Sequence, residues 1–144
     1  MQNYKNHIRY YTAHHFVFYP VIMALAGLSV YFAFGGTEYT ALLWIFMALA
    51  FFVIGWLSFM LRQHYAMTGQ NRTVVLEMRF RYYVLTHERL ELLEDRLSFG
   101  QIAALRFASD EELPALVTRT LKENLSPDEI KRSIKNWLPD NKRV

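Results

Sequence analysis

The pattern of apolar and polar positions divides the chain into two blocks. Residues 16–61 hold one charge, Glu38, in 46 positions, whereas 62–144 hold 14 basic and 12 acidic residues in 83. Residues 16–34 (FVFYPVIMALAGLSVYFAF) and 40–61 (TALLWIFMALAFFVIGWLSFML) are uncharged over 19 and 22 positions. A hydrocarbon core of about 30 Å takes about 20 helical residues to span. No water is available there, so each backbone group must bond within its own helix. The two runs are therefore predicted transmembrane helices, joined antiparallel by the short turn Gly35-Gly36-Thr37-Glu38-Tyr39. The first run exceeds the 7–15 residue core of a cleaved signal peptide and no small-x-small site follows it, so it is expected to remain.

Lys and Arg near the helix ends set the orientation. The turn has none, while Lys5 and Arg9 precede the first run and Arg62 and Arg72 follow the second. Both termini are predicted cytoplasmic. Tyr19, Trp56 and Tyr65 fall toward one edge of the membrane, and Tyr31, Tyr39 and Trp44 toward the other. Small residues recur at seven-residue spacing, Ala26 and Ala33 on the first helix and Ala41, Ala48 and Gly55 on the second. They form a predicted packing seam, since lipid offers helices little reason to associate beyond close contact.

Residues 62–97 contain no proline and one glycine, Gly69. Leu76, Phe80, Tyr83, Leu90 and Leu97 share one helical stripe, which predicts a long cytoplasmic helix continuing from the second span. Residues 98–144 carry three capping boxes, Ser98 with Gln101, Ser109 with Glu112 and Ser126 with Glu129. They predict helices over 99–107, 110–124 and 127–138. The inward positions of this small three-helix module would be Ile102, Leu105, Phe107, Leu113, Leu116, Val117, Leu121, Ile130, Ile134 and Trp137. The expected fold is all-α: an N-terminal flank (1–15), a transmembrane hairpin (16–61), a long helix (62–97) and the module (98–144). The module is too small to fold robustly alone and should pack on the long helix or on a partner.

Composition adds mainly exclusions. The mean hydropathy of +0.04 over 144 residues averages the two blocks and conceals them. The absence of cysteine removes disulfides, cysteine-ligated metals and thiol chemistry. The sequence has no phosphate-binding loop, HExxH or GxSxG. No ionisable residue lies within either span, as a proton or ion path would require. Residues 109–144 balance seven basic against seven acidic residues, so no nucleic-acid partner is expected. His87 and Glu91 are four apart, but one pair does not make a metal site. His7, His14, His15 and His64 all fall on the predicted cytoplasmic side, and His14, His15 and His64 could form a cofactor, metal or pH-sensing cluster.

QNYKNH at 2–7, HHF at 14–16, SFGQIAALRFASDEELPAL at 98–116 and LSPDEIKRSIKNW at 125–137, with Asp140 and Arg143, resemble a bacterial family of small two-span membrane proteins of unknown function. The resemblance covers essentially the whole chain, least closely over 66–97. It implies a bacterial inner-membrane location and carries over no catalytic residue. The expectation is a non-enzymatic scaffold or accessory subunit of an inner-membrane complex. It would contact lipid and a protein partner or further copies of itself, with no cofactor. The alternative is a membrane sensor using the histidines.

Overall fold

The computed structural model describes residues 2–6 and 11–140. As expected, the chain is all-α, with two long apolar helices followed by shorter ones. Two compact units divide it: one ends at Met67, and the other starts at Thr68 and also takes in the first residues of the chain. Arg9, His7 and Arg143, named above, lie outside the described residues.

In the first unit a π-helical turn, Ala13–Phe18, leads into α1 (Tyr19–Gly35). Pro20 sits in the first turn of α1, where a missing amide hydrogen is tolerated. The turn into α2 (Glu38–Met60) requires glycine at Gly36. A Cβ there would lie 2.6 Å from Thr40 Oγ1 and 3.2 Å from the Phe32 carbonyl oxygen. Thr37 then starts α2, its carbonyl accepting from Ala41 N (2.7 Å) and Thr40 Oγ1 (2.9 Å). The helices pack through Ile22, Ala26, Ser29 and Ala33 on α1 and Ala41, Trp44, Ala48, Phe51, Gly55 and Ser58 on α2, all at least partly covered. These positions alternate by three and four residues, the spacing of knobs-into-holes packing. Apart from Tyr19 and Met60, the rest of the two helices is exposed: Ser29 is their one buried residue, and Phe34 is 89% exposed. Ala13–Gly35 and Glu38–Thr86 are helices long and apolar enough to cross a membrane.

Helical hydrogen bonding runs from Glu38 to Thr86 through a second π-helical turn, Leu61–Ala66, and then α3 (Met67–Thr86). Gly69 does not interrupt it. The helix ends at Thr86, well before the expected Leu97. His87 adopts a left-handed φ of 58°, and single 3-10 turns follow at Leu90–Leu92 and Glu94–Arg96. These turns bring Leu90 and Leu97 into the core from a non-helical segment. His87 and Glu91 therefore do not share a helix face.

The face of α3 that is covered also differs from the expected one. Val74, Met78 and Tyr82 point into the core, whereas Leu76, Phe80 and Tyr83 are 66%, 71% and 51% exposed. Both sets have helical spacing. The module closes over the first set, and its own apolar positions decide that choice.

The module consists of α4 (Phe99–Leu105), α5 (Leu113–Glu123) and α6 (Pro127–Ser133), each shorter than expected. The capping boxes at Ser98 with Gln101 and Ser126 with Glu129 form, with both reciprocal bonds present. The box expected at Ser109 does not. Glu112 instead accepts from the amides of Lys135 (3.1 Å) and Asn136 (3.0 Å). That clamp belongs to an extended C-terminal segment, where a helix was expected to run to 138. Ser109 N donates to Asn136 O (3.0 Å) and Leu138 N to Phe107 O (2.8 Å). Ile134 and Trp137 thus reach the core from extended backbone, and the Trp137 ring lies 5.0 Å from that of Phe107. With them the core holds Met78, Tyr82, Leu90, Ile102, Leu105, Leu113, Leu116, Val117 and Ile130.

Candidate functional site

His14, His15 and His64 lie in the π-helical turns of the hairpin unit. His14 and His15 have ring centroids 5.4 Å apart, and His14 stacks on Phe18 at 5.7 Å. His14 Nε2 is enclosed and has no hydrogen-bond partner among the described residues. His64 is in the exposed turn Leu61–Ala66. No three His, Asp or Glu side chains converge into a metal-binding group among the described residues. Ala26, Ala33, Ala41, Ala48 and Gly55 lie on the covered side of the hairpin, and Ile22 Cγ2 is 3.4 Å from where a Cβ on Gly55 would stand. An open groove of about 400 Å³ lies between Val30, Phe34, Ile45 and Leu49. Its lining is hydrocarbon and has no polar group that would orient a ligand.

The second unit satisfies most of its charges internally. Arg79 forms a two-pronged pair with Glu94, at 2.6 and 2.5 Å. Arg81 donates to Asp110 (2.6 Å) and to the carbonyls of Arg106 (3.0 Å) and Ala108 (2.5 Å), closing the C-terminal end of α4. Arg106 pairs with Asp140 at 2.5 Å and lies over the Phe107 ring. Such groups are structural: each cation is matched to carboxylates or carbonyls, which leaves no donor aimed at an empty space.

Local periodicity gives no sign of how the first residues dock. Gln2 Oε1 accepts from Asp140 N (2.7 Å), Tyr4 donates its hydroxyl to Asp128 (2.5 Å), and Arg132 donates to Tyr4 (3.1 Å) with its guanidinium 5.1 Å above the ring. Residues 2–6 thus belong to the module. Glu129 is held below the ordinary glutamate range by the Ser126 hydroxyl and then by the Ser126 amide. Tyr82 is pushed up by burial, with Glu88 adding to it.

One surface has no cover. Leu76, Phe80, Tyr83 and Val84 leave an apolar strip along α3 on the side away from the core. Polar residues flank it, Arg72 and Glu77 among them, both exposed. The strip is the candidate functional surface, because monomers seldom leave contiguous apolar area open on a folded, ion-paired module.

The fold and its surfaces define an all-α protein in two parts, an apolar helical hairpin and a closed helical module with one open face. The chain belongs to DUF6526, a family of unknown function, whose model matches residues 1–144. No curated protein and no solved structure matches the chain.

Proposed function

We propose that the protein is a non-enzymatic scaffold or accessory subunit of a bacterial inner-membrane complex. The hairpin spans the membrane with both termini cytoplasmic, and the module engages protein. The observation that carries the reading is the bare hairpin. Burying a side chain of Leu or Phe size contributes about 1.5–3 kcal/mol. Leaving about ten of them in water would offset the whole of the roughly 5–15 kcal/mol that holds a domain folded. Lipid removes that cost. The module contributes a surface instead of a reactive constellation: Arg79, Arg81 and Arg106 are ion-paired within it and an apolar strip on α3 is open.

The test is the native mass of the protein extracted from its own membranes in mild detergent, after an alkaline wash that releases peripheral proteins. Retention through the wash, with a mass above that of one 17.1 kDa chain, is expected. Release by the wash, or a lone monomer, overturns the proposal.

A histidine-based sensor is the second reading. It is favoured by His14 Nε2, which lacks a partner beside the His15 ring, in a π-helical turn of a kind often found at functional sites. A stoichiometric metal or a visible absorbance band, lost when His14, His15 and His64 become alanine, would support it. A colourless, metal-free protein would eliminate it.

A further inference from the structure

We infer that the open strip on α3 is covered by the same strip of a second copy of this chain, the two helices running parallel and in register. The inference rests on the membrane reading above and names the partner of that surface.

Thr73, Leu76, Phe80 and Tyr83 are spaced three, four and three residues apart, the seam spacing of paired helices. If Thr73 and Leu76 are seam positions, Arg72 and Glu77 flank the seam on its two sides. In a parallel pair in register, the flanking residue before one seam position faces the opposite flank of the partner five residues on. Arg72 of each copy then faces Glu77 of the other, giving two symmetric ion pairs. Reversing one helix would set like flanks against each other, Arg72 and Arg79 on one side, and lose that attraction. Arg72 has no carboxylate partner of its own among the described residues, and Glu77 has only a 3.9 Å contact with Arg106. Both are available to a partner. A two-fold axis makes the surface self-complementary, as an isologous contact must be.

Two further facts favour a copy as occupant. Copies inserted in one membrane share an orientation, because the same Lys and Arg residues set it. Four side chains from each copy also make a small contact by the standard of soluble interfaces. Such a contact suits partners already confined to one plane.

The absence of cysteine makes the test direct. Leu76→Cys, Phe80→Cys and Tyr83→Cys are introduced singly into the full chain and oxidised in native membranes. Thr118→Cys and Lys122→Cys on the exposed side of α5 serve as controls. A disulfide needs Cβ atoms about 3.5–4.5 Å apart. In a parallel pair in register each strip position meets itself, so all three variants should give dimers several-fold above the controls. An antiparallel pair would link at one position only, and that result overturns the inference. So does linking no stronger than at the α5 positions, or equal linking everywhere. A second measurement needs no cysteine. Arg72→Glu should lower the dimer fraction several-fold, and adding Glu77→Arg should restore it. If neither change moves the mass, the inference fails. Protein that stays in washed membranes without cross-links removes the second copy and leaves the membrane reading standing. Protein released by the wash removes that reading itself.

Discussion

The two units of this chain bury apolar side chains in opposite ways. In the hairpin the covered seam is rich in small residues, Ala26, Ala33, Ala41, Ala48 and Gly55 beside Ile22, Trp44 and Phe51, and most of the large residues point outward. In the second unit the large residues Met78, Leu105, Leu113 and Ile130 are fully buried, and most outward positions are polar or charged. A water-facing protein hides its bulk to gain the hydrophobic effect. Where the solvent is hydrocarbon that gain vanishes and close backbone approach takes its place. The lipid setting proposed for the hairpin rests on this contrast. The open strip on α3 is the longest run in which the second unit departs from its own rule, with Leu92 exposed separately.

The sharpest way to break the comparison is to truncate one large side chain in each setting. Leu105→Ala removes a side chain that is 1% exposed and should cost about 2–5 kcal/mol, lowering the melting temperature of the purified protein. Leu76→Ala, at 66% exposed, should shift the stability of the unassembled chain by no more than about 0.5 kcal/mol. Similar losses at both positions would mean that the strip is already covered within one chain.

The next test concerns the hairpin. Leu49 is 54% exposed, so arginine would be harmless there if water surrounded it. In the middle of a span the same change costs about 2.5–3.5 kcal/mol in membrane insertion. Leu49→Arg should therefore reduce the fraction of chains retained after an alkaline wash. Unchanged retention would overturn the assignment of lipid to this unit.

The parts legible in the sequence were those whose causes are local. The two apolar runs, the glycine turn and the capping boxes at Ser98 and Ser126 each follow from neighbours within four residues. What was not legible depends on distant partners. Glu112 could close its own box, but amides 23 and 24 residues away capture it. Helix α3 has two apolar faces, and only the module's arrival decides that Val74, Met78 and Tyr82 go inward. No glycine marks the end at Thr86: His87 takes the left-handed conformation without one. The strip was misplaced for the same reason, since periodicity counts apolar positions and does not say which of two sets will be covered.

A smaller effect should separate two capping boxes that look alike. In α4 the reciprocal partner is Gln101, which does not titrate; in α6 it is Glu129. Glu129 is held below its ordinary range, chiefly by the Ser126 hydroxyl. Its folded value thus lies under the unfolded value of about 4.3. The associated stability is present above that unfolded value and is lost as pH falls through the folded one. Amide exchange at residues 128–130 should accelerate in that acid range, while 99–102 should keep its protection. Glu129→Gln should remove the difference. Equal acid sensitivity in both helices would show that the module opens as a whole before either cap gives way.

The smallest expected change tests where the unit boundary lies. Tyr4 reaches the module across 124 residues of sequence to Asp128. Tyr4→Phe keeps the ring under the Arg132 guanidinium and deletes only the hydroxyl that bonds to Asp128 and Arg132. A surface change of this kind should move global stability by no more than about 0.5 kcal/mol. The local consequence is larger, because the Tyr4 hydroxyl is, with Gln2, one of the side-chain groups that tie the first segment to the module. Limited proteolysis at Lys5 should quicken in the variant, while cleavage at Arg119 on α5 stays as slow as before. Equal rates at Lys5 in both proteins would mean that the first residues are held by something other than α6. The module would then have to be redrawn to begin at Thr68.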